Sequence, residues 1–439
     1  MDHGGAPVEV ATTAELASAL VRGEVDIQLA EGDYILERPL VLSRKVRITG
    51  SGRAGTRLIH EGPSAIIVET RGRLSLRRMT VLGTGDGEIN VIRVNGGRVR
   101  LHRCRVRGGR CGIPDQEVLR LLSPSGKATI KADTTEGAAI RVEAGCARLS
   151  RCQVDDSEFG IFAHREARVH IRDTKVTRCI RVPVAAKDAR EVVVERCALA
   201  ASTSGLVVLG AQLVKLCDVK CSITDSWGVR VSDADMVRLE RVSISGDHGA
   251  TGLDLERVKL AQVEKVTCRI KAAVDMFGRP SGGAGFGATM RNVNGTMSDC
   301  SFSAPLDACS VQSSDLRLLR CTIADSFGHG LFASDGGTLR LTECILSNNW
   351  VGVVVEGGGS RRQYWGERPM VLLESCDLHS NKSRNCVGLP ARWVTESGRP
   401  RSALLFPFYA NPKLRRTVAW WTAILAGGAA YLAYTSGGG

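Results

Sequence analysis

Aromatic side chains are scarce in this chain of 439 residues, at 5%, whereas glycine occurs 49 times. We therefore expect an aliphatic core with many tight turns. Acidic residues are also in deficit, since 46 Asp and Glu stand against 59 Lys and Arg, which gives a formal net charge of +13. This balance favours acidic partners such as anionic glycans, phospholipid head groups or nucleic acid, and does not choose among them.

The amino terminus lacks both a basic stretch and an apolar run, so MDHGGAPVEVATTAEL does not resemble a secretory signal. Without export, thiols stay reduced. We therefore expect a cytosol-facing protein whose fifteen cysteines are mostly small core residues.

One eight-residue phrase recurs twelve times between residues 74 and 378. It reads apolar, x, apolar, two mostly polar residues, Cys or another small residue, x, apolar, as in VRLHRCRV (99–106) and LRLLRCTI (316–323). Between 152 and 266 its sixth position advances by 22, 23, 22, 23 and 24 residues. A second phrase, such as AIRV (139–142), lies eight or nine residues upstream. This regular period indicates a repeat architecture.

Each period offers three short strands whose alternation gives one buried and one exposed face. A single period cannot bury its own apolar face, but stacked periods share one core. The sequence therefore predicts an all-β, right-handed parallel β-helix of about twelve rungs, with a short N-terminal capping helix and a C-terminal hydrophobic helix. The predicted domains are a cap (1–30), the β-helix (31–390), a Pro-rich and basic linker (391–416), a transmembrane helix (417–435) and a tail (436–439).

Seven cysteines occupy the sixth position of the phrase, where stacked rungs would place them in a ladder. Met79, Thr174 and Val219 take the same position in other rungs, and no metal-ligand spacing recurs. We therefore interpret these cysteines as core residues rather than as metal ligands or disulfides, and we predict no metal or cofactor. The seven are Cys104, Cys152, Cys197, Cys300, Cys321, Cys344 and Cys376.

With this repeat the sequence resembles the pectin lyase-like right-handed β-helix superfamily over about residues 8–390. The entry segment 8–52 supports the likeness, because in that family a short amphipathic helix, here about 14–22, caps the open end of the coil. The resemblance implies the fold. It leaves function open, because this fold carries lyases, hydrolases, epimerases, adhesins and non-catalytic modules.

A Gly-His-Gly triplet at 328–330 is similar to the one that carries an active-site histidine in polygalacturonases. Those enzymes also have, in order, Asn-Thr-Asp, Asp-Asp, the triplet and Arg-Ile-Lys. Here Asp155–Asp156 is present, but Arg269–Lys271 precedes the triplet and Asn-Thr-Asp is missing. Because DSFG (325–328) aligns with turns of other rungs, we interpret His329 as a turn residue.

The outer face of the first strand is where substrates of this superfamily usually lie. Its predicted outward residues include one carboxylate, Asp254, whereas glycoside hydrolysis needs two carboxylates within roughly 5 to 9.5 Å. Asp156, Asp225 and Asp325 lie three or more rungs apart, too far to act together. The sequence thus disfavours catalysis. The outward residues are Arg93, Arg141, Phe162, Ala185, Val207, Arg230, Asp254, Thr289, Ser310, Phe332 and Val354.

Three stretches break the period, at 108–137, 271–286 and 357–369, and their loops could wall a groove over this face. The groove would hold an anionic ligand, a glycan or a protein partner through charge and ring stacking. The alternative is that the last stretch is a solvated loop. The candidate groove residues are Arg93, Arg141, Phe162, Arg230, Phe332, Arg361, Arg362, Tyr364, Trp365 and Arg368.

A basic stripe follows the second and fifth positions of the phrase, and Asp173, Asp218 and Asp299 interrupt it. We interpret it as a solubilising face. Attraction to an anionic membrane surface or to nucleic acid is the alternative, with nucleic acid the less favoured partner. The stripe comprises Arg100, Arg103, Arg148, Arg151, Lys215, Arg238, Arg241, Lys265, Arg317, Arg320 and Arg340.

The C-terminal stretch 417–435 is an uncharged run long enough to cross a bilayer as a helix. Aromatic residues lie at both ends and basic residues precede it, so the β-helix should face the cytosol. The alternative is an apolar helix that covers the open end of the coil. The membrane-flanking residues are Lys413, Arg415, Arg416, Trp420, Trp421, Tyr431 and Tyr434.

Two functions from different classes follow. The first is a single-pass, tail-anchored membrane protein whose non-catalytic β-helix presents a rigid binding or scaffolding surface on the cytosolic side. The alternative is a carbohydrate-active enzyme, either a polysaccharide lyase or a glycoside hydrolase. Carboxylates clustered on the first-strand face would favour the enzyme.

Overall fold

A computed structural model describes residues 6–84, 89–109, 137–247, 249–274, 280–281, 285–356 and 369–387. Strands that pair in parallel from one turn to the next make up most of these residues. The coil of the predicted fold is confirmed, since the described residues form an all-β, right-handed parallel β-helix of about thirteen turns. The coil begins ahead of the first recognised phrase, because Val8–Val10, Asp26–Leu29 and Lys45–Thr49 pair in succession before Arg73–Arg77.

A helix spans Thr13–Arg22, where the sequence predicts one at about 14–22. Thr12 and Glu15 form a capping box, and Gly23 ends the helix with a φ of 95°. Leu16 is fully buried in the same core as the strands. The amphipathic helix therefore covers apolar side chains at the first turn of the coil.

Each turn contributes one strand to each of three columns, which we call the first, second and third strands. Six long strands run through corners and belong to two or three columns: Gln153–His164, Lys175–Glu195, Leu206–Cys217, Trp227–Glu240, Thr251–Glu264 and Phe286–Ser298. The other first strands are Leu40–Leu42, Ile66–Val68, Ile92–Asn95, Ala138–Glu143, Asp307–Gln312, His329–Ser334, Val351–Glu356 and Arg384–Val387.

The second and third columns are built in the same way. The other second strands are Val8–Val10, Asp26–Leu29, Lys45–Thr49, Arg73–Arg77, Arg98–His102, Cys146–Ser150, Arg168–Arg172, Asp315–Leu319, Thr338–Thr342 and Met370–Glu374. The other third strands are Gly32–Leu36, Thr56–His60, Thr80–Gly83, Arg105–Arg107, Ala198–Ala201, Lys220–Ile223, Ser243–Gly246, Thr267–Ile270, Ser301–Ser303, Thr322–Ala324, Ile345–Ser347 and Asp377–His379. Ala273–Val274 and Pro280–Ser281 form a separate antiparallel pair.

The prediction of three separate short strands in every period is wrong for the middle of the coil. There the corner between first and second strands is often one residue in the left-handed region, such as Asp188 (φ 50°) or Asp233 (φ 56°). The pairings Lys187↔Leu209 and Ala189↔Ala211 continue on both sides of the Asp188 corner. A single left-handed residue turns the chain without interrupting the backbone pairing between rungs. Aspartate tolerates that conformation better than most residues.

The cysteine ladder lies where the repeat predicts it. Six of the seven sixth-position thiols are buried in the aliphatic core, and Cys376 is half-buried against it. Burial raises the pKa of Cys104 to about 12. Because the thiolate is the reactive form, these cysteines act as small apolar residues, as predicted.

Several predictions fall outside the described residues. They concern most of the stretches 108–137 and 357–369, part of 271–286, and the linker and membrane span beyond residue 387. Among the helices that the described ranges contain, none is long and apolar enough to cross a membrane.

Candidate functional site

The predicted outward residues of the first strand form one unbroken column. Register pairs Arg93 with Arg141 and Arg141 with Phe162, and it continues rung by rung to Phe332 and Val354. The groove residues Arg93, Arg141, Phe162, Arg230 and Phe332 therefore share one face, as predicted. The other five, Arg361, Arg362, Tyr364, Trp365 and Arg368, lie outside the described residues.

An apolar patch occupies the middle of this column. Phe159, Phe162, Ala185 and Val207 belong to a buried cluster that is separate from the aliphatic core. Alternation explains the separation, because the neighbouring Ile161 points into the coil and Phe162 points out. On its N-terminal side stand Arg141 and Glu143, whose Nε and Oε1 atoms are 2.7 Å apart.

Next to this patch, three consecutive rungs place opposite charges together. We call Arg230, Asp254, Glu256, Thr289 and Arg291 the charged cluster. The Thr289 hydroxyl donates to Asp254 Oδ1 at 2.6 Å. Arg230 lies 3.6 Å from Asp254 and 3.5 Å from Glu256. Arg291 Nη2 is 3.4 Å from an oxygen of each carboxylate. Nη1 of Arg257, which also pairs with Asp233, contacts Glu256 Oε1 as well. The two carboxylates therefore lie among three guanidinium groups.

The expectation that Asp254 stands alone is wrong. Because Arg291 Nη2 touches both side chains at 3.4 Å, oxygens of Asp254 and Glu256 lie no more than twice that distance apart. This upper bound overlaps the separations of roughly 5 to 9.5 Å that paired carboxylates have in glycoside hydrolases. Glu256 was missed because only one outward position per strand was considered, whereas alternation turns the residue two places on to the same face.

Arg230 is the most unusual member of the charged cluster. Its side chain is only 2% exposed, and its guanidinium lies 4.3 Å from the centre of the Trp227 ring. Burial lowers the pKa of Arg230, and the charges of Asp254 and Glu256 oppose this effect. Its Nε and Nη1 atoms are buried without a hydrogen-bond partner, since 3.6 Å to Asp254 is too long for one. Two strong donors are therefore left unsatisfied.

His329 belongs to the same face, and its assignment to a turn is wrong. It begins the strand His329–Ser334, and its ring stacks on Phe332 with centroids 5.4 Å apart. Asp307 Oδ1 accepts the backbone N–H of His329 at 2.9 Å. The same oxygen is 3.0 Å from His329 Nδ1, although this second contact is too poorly aligned to count as a hydrogen bond.

The glycines of the triplet have a structural cause. A Cβ at Gly328 would lie 2.4 Å from the carbonyl oxygen of Leu306, and one at Gly330 would lie 2.5 Å from Asn349 Nδ2. Both positions therefore need glycine for close packing between rungs. The strand that holds Asp307 lies two turns beyond Asp254, and the strand that holds His329 lies one turn further. His329 therefore does not form a polygalacturonase-like constellation with Asp254.

The Asp155–Asp156 pair takes part in a different set of contacts. Asp155 is fully buried and is 2.6 Å from Arg105 Nη2. Asp156 binds Arg178 at 2.6 Å, and this hydrogen bond lowers the pKa of the Asp156 carboxyl. These acids therefore hold neighbouring turns together. Within the described ranges, no group of three or more His, Cys, Asp or Glu side chains is arranged to hold a metal ion.

Two kinds of comparison with known proteins gave matches. Residues 204–365 match the family model described as right-handed beta helix region. The catalytic unit of a GH87 alpha-1,3-glucanase from Streptomyces thermodiastaticus is 11% identical, with 91% of this chain and 69% of that chain covered and a TM-score of 0.46. The Azotobacter vinelandii mannuronan C-5 epimerase AlgE4 A-module is 12% identical, with coverages of 88% and 94% and a TM-score of 0.42.

The periplasmic alginate epimerase AlgG is 11% identical, with 87% of each chain covered and a TM-score of 0.38. These solved structures are carbohydrate-active β-helix enzymes, and at such low identity the likeness concerns the fold alone. No curated protein sequence matches this chain. The paired strands show that the chain folds as a right-handed parallel β-helix, and the family model describes the same kind of region for residues 204–365.

Proposed function

We propose that this protein is a carbohydrate-active enzyme that cleaves an acidic polysaccharide laid along the first-strand face. The observation that carries the proposal is the charged cluster, in which Asp254 and Glu256 stand close together between Arg230 and Arg291. This function replaces the non-catalytic scaffold as the preferred hypothesis, because a carboxylate pair on this face was the feature expected to separate the two.

The unsatisfied donors of the charged cluster support an anionic substrate. Arg230 Nε and Nη1 and Arg291 Nε are buried without hydrogen-bond partners. A uronate carboxylate offers two oxygens in the geometry that a guanidinium group binds best. Such a ligand would satisfy donors whose isolation is otherwise costly. The arginines therefore have the role of binding and orienting the sugar, and they need not take part in proton transfer.

The two carboxylates have the chemical roles. In glycosidic hydrolysis one carboxyl protonates the leaving oxygen, and the other attacks the sugar or activates a water molecule. Asp254 is fixed by the Thr289 hydroxyl and by two arginines, which suits a nucleophile or base. Glu256 has the more exposed side chain, 12% against 3%, and is assigned the exchange of protons with the leaving oxygen.

The test is incubation of the full chain with polygalacturonate, alginate and a neutral glucan, followed by assays of new reducing ends and of unsaturated sugars by ultraviolet absorbance. We expect reducing ends from an acidic polymer, and a loss of about 10²-fold or more in Glu256→Gln and Asp254→Asn. Asp299→Asn, which removes an acid at another corner, should retain full activity.

The outcomes separate the hypotheses. Unsaturated products would keep the site but replace hydrolysis by elimination. Binding of an acidic polymer without any turnover would overturn the enzyme and restore the non-catalytic binding module. Equal activity in Glu256→Gln and the Asp299→Asn control would place the chemistry elsewhere.

A further inference from the structure

The turn between the second and third strands places one residue of each rung in the left-handed region. In three consecutive rungs that residue is Arg78 (φ 55°), Arg103 (φ 53°) and Arg151 (φ 55°). The later rungs place Asp173, Arg196, Asp218, Arg241, Lys265, Asp299, Arg320, Glu343 and Ser375 at the same position. One structural position therefore recurs along the coil with different charges.

In the later rungs, acids neutralise the arginines at this position. Arg196 donates to both oxygens of Asp173, at 2.6 and 3.0 Å. Arg320 does the same to Asp299, at 2.7 and 2.9 Å, one rung further along. Arg241 pairs with Asp218 in the same way. Bidentate pairs between neighbouring rungs are thus the rule for arginines at this corner.

The rungs of Arg78, Arg103 and Arg151 break this rule. Arg53 joins them by donating from Nε to the carbonyl oxygen of Arg103 at 2.9 Å and from Nη2 to that of Arg151. We call Arg53, Arg78, Arg103 and Arg151 the arginine ladder. In the described part of the chain, none of its four guanidinium groups lies within ion-pair distance of a carboxylate. With Gly52 they line an open depression of about 500 Å³.

Positive charge accumulates at the arginine ladder. Successive rungs are roughly 4.8 Å apart, so the arginines repel one another in the absence of counter-ions. The neighbouring His102 responds to this field: burial lowers its pKa, and the charges of Arg103, Arg77, Arg151 and Arg53 lower it further. A ligand that brings negative charges at the same spacing would relieve this repulsion.

We infer that the arginine ladder is a second binding site, remote from the first-strand face, for a linear acidic polysaccharide whose carboxylates pair with successive guanidinium groups. A straight row of arginines fits a polymer with regularly spaced charges. Among the residues that the structure describes, none that lines the depression is aromatic, so single-stranded nucleic acid would lack the stacking that it normally uses. The identity of the polymer rests on the proposed function, whereas the existence of the site does not.

The test is the binding of oligogalacturonate to the full chain, measured by calorimetry. The informative variant is Arg103→Asp, because aspartate occupies the same left-handed position in Asp173, Asp218 and Asp299 and should fold there. The aspartate introduced at position 103 would pair with an arginine of a neighbouring rung, as the acids of the later rungs do. We expect affinity to fall at least tenfold. Arg320→Ala, which removes an arginine from the same position of a neutralised pair, should bind like the wild type.

Each result decides the inference. Arg103→Asp changes the net charge by −2 and Arg320→Ala by −1. A loss of binding free energy in Arg320→Ala of about half that in Arg103→Asp would therefore show attraction to net charge alone and would overturn the inference. Equally tight binding of duplex DNA or of anionic vesicles, with the same response to Arg103→Asp, would overturn the choice of polysaccharide. Binding that is lost in Glu256→Gln but kept in Arg103→Asp would place the polymer only on the first-strand face. Binding at the ladder without turnover would refute the enzyme and leave this site standing.

Discussion

Removing one charge from the charged cluster should destabilise the protein locally by about 3 kcal/mol. Asp254 and Arg230 are 3% and 2% exposed. Together with the adjoining Asp233–Arg257 pair, the cluster balances three carboxylates against three guanidinium groups. Asp254→Asn leaves one buried positive charge uncompensated, and Arg230→Met leaves one negative charge. Removing one partner of a buried pair costs about 3–5 kcal/mol, and the charges that remain in the cluster should keep the loss near the lower limit.

The double variant separates charge balance from lost contacts. Arg230→Met combined with Asp254→Asn restores neutrality, so it should be less destabilised than the sum of the single variants by about 2 kcal/mol. The control is the pair Asp299 and Arg320, whose side chains are 32% and 49% exposed. A solvent-screened pair contributes about 0–1 kcal/mol, so Asp299→Asn should have little effect.

The assay is native-state hydrogen exchange read by mass spectrometry, on peptides that cover 227–256 for the cluster and 299–320 for the control pair. It reports local opening free energies and does not require the whole coil to unfold in one step. If Asp254→Asn and Asp299→Asn change exchange protection equally, or if the double variant is simply additive, the charges of the cluster are not desolvated. Arg230 and Arg291 would then be hydrated, and their donors would give no support to an anionic substrate.

Three further predictions follow from particular residues. Arg241 holds the pKa of Asp218 at about 2, so the stability from this pair is present above the unfolded value of about 3.9 and is lost as pH falls toward 2. Asp218→Asn should therefore reduce the acid sensitivity of unfolding in that window, and an unchanged profile would contradict the pairing. Cys104 and Cys221, whose pKa values burial raises to about 12, should react with Ellman's reagent only after denaturation, whereas exposed Cys386 should react at once. Carbonate extraction of membranes should retain the full chain and release one truncated after Asn411 if 417–435 is a membrane anchor, and release of both would contradict the anchor.

Much of the fold follows from the repeat. The alternation in VRLHRCRV and its 22–24-residue period fix which side chains point inward, because a parallel strand has a strict period of two. The column from Arg93 to Val354 could be read from the sequence for the same reason. The sequence did not show which corners consist of a single left-handed residue. At Asp188 such a residue lets the first strand continue directly into the second.

For the candidate site, too, the sequence determines one part and the tertiary structure the other. By itself the sequence determines that Asp254 and Glu256 share a face, since alternation is a local property of a strand, although this consequence of it was overlooked. Only the tertiary structure decides that Arg230 and Arg291, from the rungs on either side, enclose that pair. The same holds for the arginine ladder, whose members are spread over residues 53–151. Contacts between rungs depend on the exact register and on which partner each side chain takes, and these are set by packing across many residues of intervening chain.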